Sequence, residues 1–150
     1  MRNKSNAYDG SPKDQVDPAR SAQMALVRSR DTRPELVVRK IVDKLRFKYQ
    51  INPKEIWGTP DLSFVRRKKA IFVHGCFWHQ HRKAKCWRSR IPKTRQEFWI
   101  PKLQANQARD RKQIRELRKN GWETLVVWEC QTIKSKQPAL LKKIQRFLKI

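Results

Sequence analysis

Apolar side chains recur with helical period over residues 32 to 45, where Leu36, Val37, Ile41 and Leu45 fall on one face. Thr32 followed three residues later by Glu35 adds a capping-box pattern at the start. A shorter helix is expected just before it, from about Ser21, with Met24 and Val27 at helical spacing. Phe47, Tyr49 and Ile51 then alternate with polar residues, the period of a half-buried strand. Pro60 to Val65 and Ala70 to Val73 flank a basic turn, Arg66 to Lys69, and predict a β-hairpin. Thr94 with Glu97 forms a second capping-box pattern, opening a polar helix that Pro101 interrupts or kinks and Asn120-Gly121 ends. Trp122 to Trp128 follows as a strand. Its unbroken run Leu125-Val126-Val127-Trp128 predicts burial on both faces. A last amphipathic helix from Pro138 carries Leu141, Ile144 and Leu148.

Two stretches lack such periodicity. Residues 1 to about 20 hold almost no large apolar side chain, too little to offset the entropy of ordering them, so they are expected to form a flexible arm. The remainder, 21–150, is the length of a single domain. Residues 74 to 92 also show no period, yet hold all three histidines and two of the three cysteines. Order in this loop must come from something other than an apolar face, and a metal would supply it.

Composition narrows the function. The chain carries 37 Lys and Arg against 13 Asp and Glu, a formal charge of +24. Self-repulsion of that size is tolerated chiefly where a polyanion neutralises it, so nucleic acid is the leading partner. No apolar stretch is long enough to span a membrane, and no apolar signal core opens the chain. An odd number of cysteines fits a reducing compartment, and the cytoplasm is the expected location.

Cys76, His81, Cys86 and Cys130 offer three thiolates and an imidazole, a set suited to a closed tetrahedral zinc site. Spacing alone leaves a second reading open, in which the thiols are small buried hydrophobes. The irregular loop favours the metal. Asp61, after Pro60 at the start of a hairpin strand, is by itself a turn or capping residue, but a carboxylate there can also hold Mg2+. His74 and His79 lie across the same loop and can transfer protons to or from a phosphodiester. Phe77, Trp78 and Trp99 are bulky aromatics among cations, fit either for the core or for insertion between bases. Arg82, Lys83, Lys93 and Arg95 would track phosphates or form a solvated face.

Successive segments resemble the very-short-patch mismatch repair endonucleases. They are Asp31-Thr32-Arg33-Pro34-Glu35, Gly58-Thr59-Pro60-Asp61-Leu62, Ile71 to His79, Lys93 to Trp99, and Gly121-Trp122 through Trp128-Glu129-Cys130. The resemblance covers roughly residues 20 to 131. It implies a restriction-endonuclease-like α/β fold of the PD-(D/E)XK type, a central mixed sheet flanked by helices. The activity it implies is Mg2+-dependent nicking of one strand, 5′ to the T of a T:G mismatch left by deamination of 5-methylcytosine. It also implies roles. Asp61 and the main-chain carbonyl of Val73 would hold Mg2+, His79 would transfer the proton, and His74 and Glu35 would support the site. Cys76, His81, Cys86 and Cys130 would hold a structural Zn2+, and Phe77, Trp78 and Trp99 would enter the duplex. Work as a monomer on nucleoid DNA, beside mismatch-repair factors and a cognate cytosine-5 methyltransferase system, completes that picture.

This sequence departs from the family pattern in the four residues Arg82-Lys83-Ala84-Lys85, which lengthen the step from His81 to Cys86. The Glu-x-Lys of the wider nuclease fold is absent from the Ile71 to Val73 strand, a feature shared with the family. Two other readings stay open at this point: a nuclease of the same fold with a homing or defence target, and a non-catalytic basic zinc module that binds DNA or RNA.

Overall fold

The computed structural model describes residues 30–82 and 86–149. The arm, the helix expected near Ser21 and the side chain of Lys83 therefore lie outside the described residues. Residues 33–150 form one of two compact units into which the chain divides, and it holds every element described below.

Helix α1 spans Arg33–Lys44, followed by strands β1 (Gln50–Ile51), β2 (Leu62–Phe64) and β3 (Lys69–His74), helix α2 (Gln96–Lys119), strand β4 (Glu123–Trp128) and helix α3 (Gln137–Lys149). The sheet order is β1-β2-β3-β4. β2 pairs antiparallel with β1 and β3, as the hairpin pattern predicted, whereas β4 runs parallel to β3. A parallel neighbour needs a crossover, and α2 is that crossover.

Side-chain alternation along β3 sorts the core into two layers. Ile71 and Val73 join Val38, Ile41 and Val42 of α1 and Leu140, Ile144 and Leu148 of α3. Ala70 and Phe72 meet Leu117 of α2, with Ile114, Trp122 and Val126 packed around them. The result is a mixed four-stranded sheet with α1 and α3 against one layer and α2 against the other. Ile144 is wholly buried, and its truncation to Ala would cost about 2–5 kcal/mol. The C-terminus of α3 is held by cations from the hairpin: Arg67 donates to the Leu148 carbonyl at 3.1 Å, and buried Lys69 donates to that of Phe147. Such contacts satisfy carbonyls that the last helical turn leaves without partners.

Four expectations need correction. The alternation at Phe47, Tyr49 and Ile51 yields only the two-residue β1, because β2 offers partners to Gln50 and Ile51 alone, and Ile51 is exposed. Tyr49 instead packs on Phe64 and donates to Asp43. Pro101 does not interrupt α2, which is continuous through it; lying in the second turn, it forfeits one helical N–H bond. Thr94 does not cap that helix. The N-cap is Arg95 in a left-handed conformation with no side-chain capping bond, its guanidinium 4.9 Å above the Phe98 ring. Finally, β4 is half-buried rather than enclosed, with only Val127 fully covered, because it is an edge strand. Lys143 and Gln131 reach over that edge, donating to the Val126 carbonyl and accepting from the Trp128 N–H respectively.

Candidate active site and metal centre

Both groups of chemically active residues sit where β3 and β4 end side by side. His74 is paired with Trp128 in the parallel register, so Cys76 and Cys130 each lie two residues beyond a matched pair. The segment after β3 then turns back on itself through backbone bonds from His79 to Gly75, Gln80 to Phe77 and His81 to Cys76. The Gln80 side chain ties that turn to the carbonyls of Phe77 and Ser89. The loop thus has hydrogen-bonded order of its own, beyond what a metal would add.

This path gathers one candidate metal centre. The ligand atoms of Cys76, His81, Cys86 and Cys130 all lie within 4.8 Å of one another, and none of the three thiols is in a disulfide. Nδ1 of His81 is 3.7 Å from Sγ of Cys76 and 3.4 Å from Sγ of Cys130. A tetrahedral zinc with its usual bond lengths requires about 3.6 Å between nitrogen and sulfur ligands. The donor set therefore fits Zn2+. Burial pushes the Cys76 thiol up to about 12, so a thiolate there needs a cation to neutralise it. The longer step through residues 82–85 still returns Cys86 to the set.

A second group lies on the α2 side of the sheet. Its members are His74, His79 and Asp110, again within 4.8 Å of each other. The two imidazoles are stacked, 4.0 Å between centroids and 6° from parallel. Nδ1 of His79 is 2.6 Å from Oδ2 of Asp110. A carboxylate accepts only, so Nδ1 donates in this bond, and in the neutral ring that leaves the Nε2 lone pair facing away from Asp110. Burial drives His74 down to about 4, with the nearby His79 adding to the effect and Asp110 opposing it. His74 is therefore neutral at neutral pH, and two stacked cations never have to coexist.

Asp61 precedes β2, whose Leu62 pairs with Ile71, and its Oδ2 accepts the Val73 N–H at 2.6 Å. Burial raises its carboxyl to about 6; the Val73 bond opposes that shift and the Glu35 carboxylate adds to it. Glu35 is itself buried on α1 and paired with Arg39 at 3.3 Å. A desolvated carboxylate with a second acid nearby suits a hard cation that keeps most of its water. The residues present fit Mg2+.

Phe77 and Trp78 of the loop meet Trp99 of α2. Their centroids are 5.1, 5.3 and 6.0 Å apart, and all three are half-buried. Asn106 of α2 donates to the Trp78 carbonyl, and the Lys102 ammonium lies over both the Trp78 and Phe98 rings. Arg82, Lys93 and Arg95 are exposed.

Asp110 escaped the sequence reading, though a signal was present. The buried residues of α2 are Leu103, Asp110 and Leu117, a seven-residue spacing that places one carboxylate on the core-facing stripe between two leucines. An acid there, inside Arg109-Asp110-Arg111-Lys112, has no structural reason to be buried unless something basic meets it.

Residues 13–85 match the family model described as DNA mismatch endonuclease Vsr. The chain is 40% identical over 119 residues to the type II nicking enzyme V.XorIIP of Xanthomonas oryzae pv. oryzae, covering 79% of this chain and 85% of that protein. It is 40% identical to the type II nicking enzyme V.NmeAIP of Neisseria meningitidis serogroup A, over 75% of this chain and 78% of that one. With DNA mismatch endonuclease Vsr of Escherichia coli K12 it shares 36% identity, over 74% of this chain and 69% of that protein. These similarities place the chain among DNA endonucleases. It belongs to the Vsr family of DNA mismatch endonucleases. Among the described residues no helix is long and apolar enough to cross a membrane.

Proposed function

We propose that this chain nicks one strand of duplex DNA 5′ to the T of a T:G mismatch, with Mg2+ at Asp61 and the Val73 carbonyl and Zn2+ in the cysteine–histidine set. The bond between His79 and Asp110 carries the reading, because a core-facing carboxylate aimed at a loop imidazole has a use in proton transfer and little in packing. The relatives support the mode of cutting, since two of them are named nicking enzymes and a third a mismatch endonuclease.

Asp110 fixes the tautomer of His79 through Nδ1, leaving Nε2 to take a proton from the water that attacks the phosphorus. His74 keeps that ring from tilting and, its basicity lowered by burial, is the weaker competitor for the proton. When bound, Mg2+ would neutralise charge on the phosphate and the leaving oxygen. The Val73 N–H orients Asp61, and Glu35 adds negative potential beside it. Arg82, Lys93 and Arg95 hold the backbone, as Lys83 would from within the same loop, while Phe77, Trp78 and Trp99 enter the base stack. The same reading extends to a PD-(D/E)XK-type ancestry, a monomer acting on nucleoid DNA, and company with mismatch-repair factors and a cytosine-5 methyltransferase system.

The deciding experiment incubates the protein and Mg2+ with end-labelled duplexes that differ at one position, T:G, T:A or C:G. Nicking 5′ to the T of the T:G duplex alone is expected. Equal nicking of all three would point to a nuclease of this family with another target. Binding without nicking under any divalent cation would point to a DNA-binding module.

A further inference from the structure

Between the metal centre and the paired histidines stands one side chain that neither uses as a ligand or proton donor. The indole of Trp128 lies flat against His81, 4.3 Å between centroids and 13° from parallel. The same indole meets the His74 ring in an edge-to-face contact, 5.3 Å and 75°. His74 is stacked on His79, and His79 is bonded to Asp110. Five side chains from the loop, both parallel strands and α2 therefore form one unbroken line of contacts from the thiol cluster to the core-facing carboxylate.

The geometry points to Trp128 as a positioning residue for the reaction: it sets the plane of the His74–His79 pair by reference to the metal-centre histidine. This inference rests on the reading of His79 as the proton acceptor. The His79 ring has two degrees of freedom to lose. Asp110 removes rotation about one axis by holding Nδ1, but a single hydrogen bond leaves the ring free to tilt about it. Stacking on His74 removes the tilt, provided that His74 is itself immobile. What bounds the His74 ring is Phe72 at 5.9 Å on its own strand and Trp128 on the next. Phe72 moves with β3, so it cannot fix His74 relative to anything else. Trp128 can, because its backbone is anchored by the β4 ladder and by the Gln131 side chain, while its face rests on a histidine 3.7 and 3.4 Å from two thiols.

A half-buried aromatic that only filled space would be replaceable by any apolar group of similar volume. A positioning ring is not, because flatness and edge geometry set the angle of its neighbour. Misplacement of a reacting group by about 1 Å costs on the order of a hundredfold in rate. Binding of DNA, carried by cations elsewhere, should be unaffected.

The test compares wild type with Trp128→Phe and Trp128→Leu, each purified with its metal content measured, and with His79→Ala as control. Single-turnover nicking of the T:G duplex and its Kd are recorded at one salt concentration, with 15N spectra of the histidine rings. Zinc content and Kd should stay unchanged. The nicking rate should fall about three- to tenfold in the Phe variant and on the order of a hundredfold in the Leu variant. The His74 and His79 ring signals should broaden or shift in the same order. Equal rates and ring spectra in all three proteins would overturn the inference, as would a Leu variant no worse than Phe. Should Trp128→Leu not fold, a zinc-loaded Phe variant with wild-type rate and ring spectra overturns it alone. If His79→Ala nicks normally, the reading of His79 as the proton acceptor fails instead, and the two failures are distinct.

Discussion

Asp110 and His79 stand 31 positions apart in the chain and 2.6 Å apart in space. The contact joins the middle of the crossover helix to the loop that leaves the strand it crosses from, so the parallel pairing of β3 and β4 and the seating of α2 are what create it. With only part of each side chain exposed, the pair is shielded enough for the bond to fix one tautomer.

Replacing Asp110 by Asn keeps the shape and inverts the donor logic. The Asn amide can donate to Nδ1, turning the imidazole to the tautomer whose Nε2 is already protonated. Nicking of the T:G duplex should fall by about 10² to 10⁴, comparable to the loss expected for His79→Ala. Affinity for DNA should change little. A near-normal single-turnover rate in Asp110→Asn would remove His79 from the role of base.

Asp61 gives a prediction about stability whose sign opposes that for activity. Its carboxyl has a folded-state value of about 6 against 3.8 when unperturbed. Ionisation is therefore harder in the folded chain, and folding is penalised progressively as pH rises from about 4 to about 6, with the full penalty above that. Asp61→Asn removes the charge while its amide oxygen can still accept the Val73 N–H. In magnesium-free buffer with zinc retained, the variant should be more stable than wild type at pH 7 to 8, by up to about 3 kcal/mol, and equal to it near pH 4. Added Mg2+ should narrow the gap by stabilising wild type alone, while nicking by the variant is abolished. Denaturant titrations at the two pH values check the sign, and a variant less stable at pH 8 contradicts it.

The donor set should bring about one zinc per chain through purification. Cys130→Ser should lower stability more than it alters the nicking rate of whatever remains folded. A loss of only about 3 kcal/mol would lower Tm by roughly 10 °C in a domain of this size. Elemental analysis and thermal scans with and without added zinc are the measurements. Folded wild-type protein without zinc would refute the assignment.

What could be read in advance followed the range of the interactions. The β2–β3 hairpin and the stripe of α3 are local patterns, visible as periods of two and 3.6 in residues that are neighbours in sequence. The convergence of Cys76 with Cys130 is not local: it depends on the register that pairs His74 with Trp128, a match no spacing rule contains. Thr94 and Glu97 made a capping pattern that lost to tertiary packing, because Trp99 must reach the loop aromatics and the chain turns through Arg95 to let it. Asp110 was hidden for the opposite reason. It sits among Arg and Lys in a polar helix, and only the spacing to Leu103 and Leu117 betrays that it faces inward.

The aromatic cluster bears on how a mismatch is told from paired DNA. Phe77, Trp78 and Trp99 already touch one another before any DNA is present, so the wedge is assembled in advance and loses little side-chain freedom on insertion. Phosphate contacts from Arg82, Lys93 and Arg95 carry no base information and should hold T:A and T:G duplexes alike. Selectivity then has to arise where the stack is opened. A T:G wobble is held less firmly than a Watson–Crick pair, so opening the step beside it takes a smaller share of the few kcal/mol that a wedge supplies. Trp78→Ala shortens the wedge while leaving the backbone that Asn106 holds in place. The variant should lose preference for T:G over T:A, with the slope of log Kd against log salt nearly unchanged, because that slope counts neutralised phosphates. Competition nicking of the two duplexes in one tube, at one fixed salt concentration, gives the preference directly. An identical preference in wild type and Trp78→Ala would return this tryptophan to the role of a packing residue.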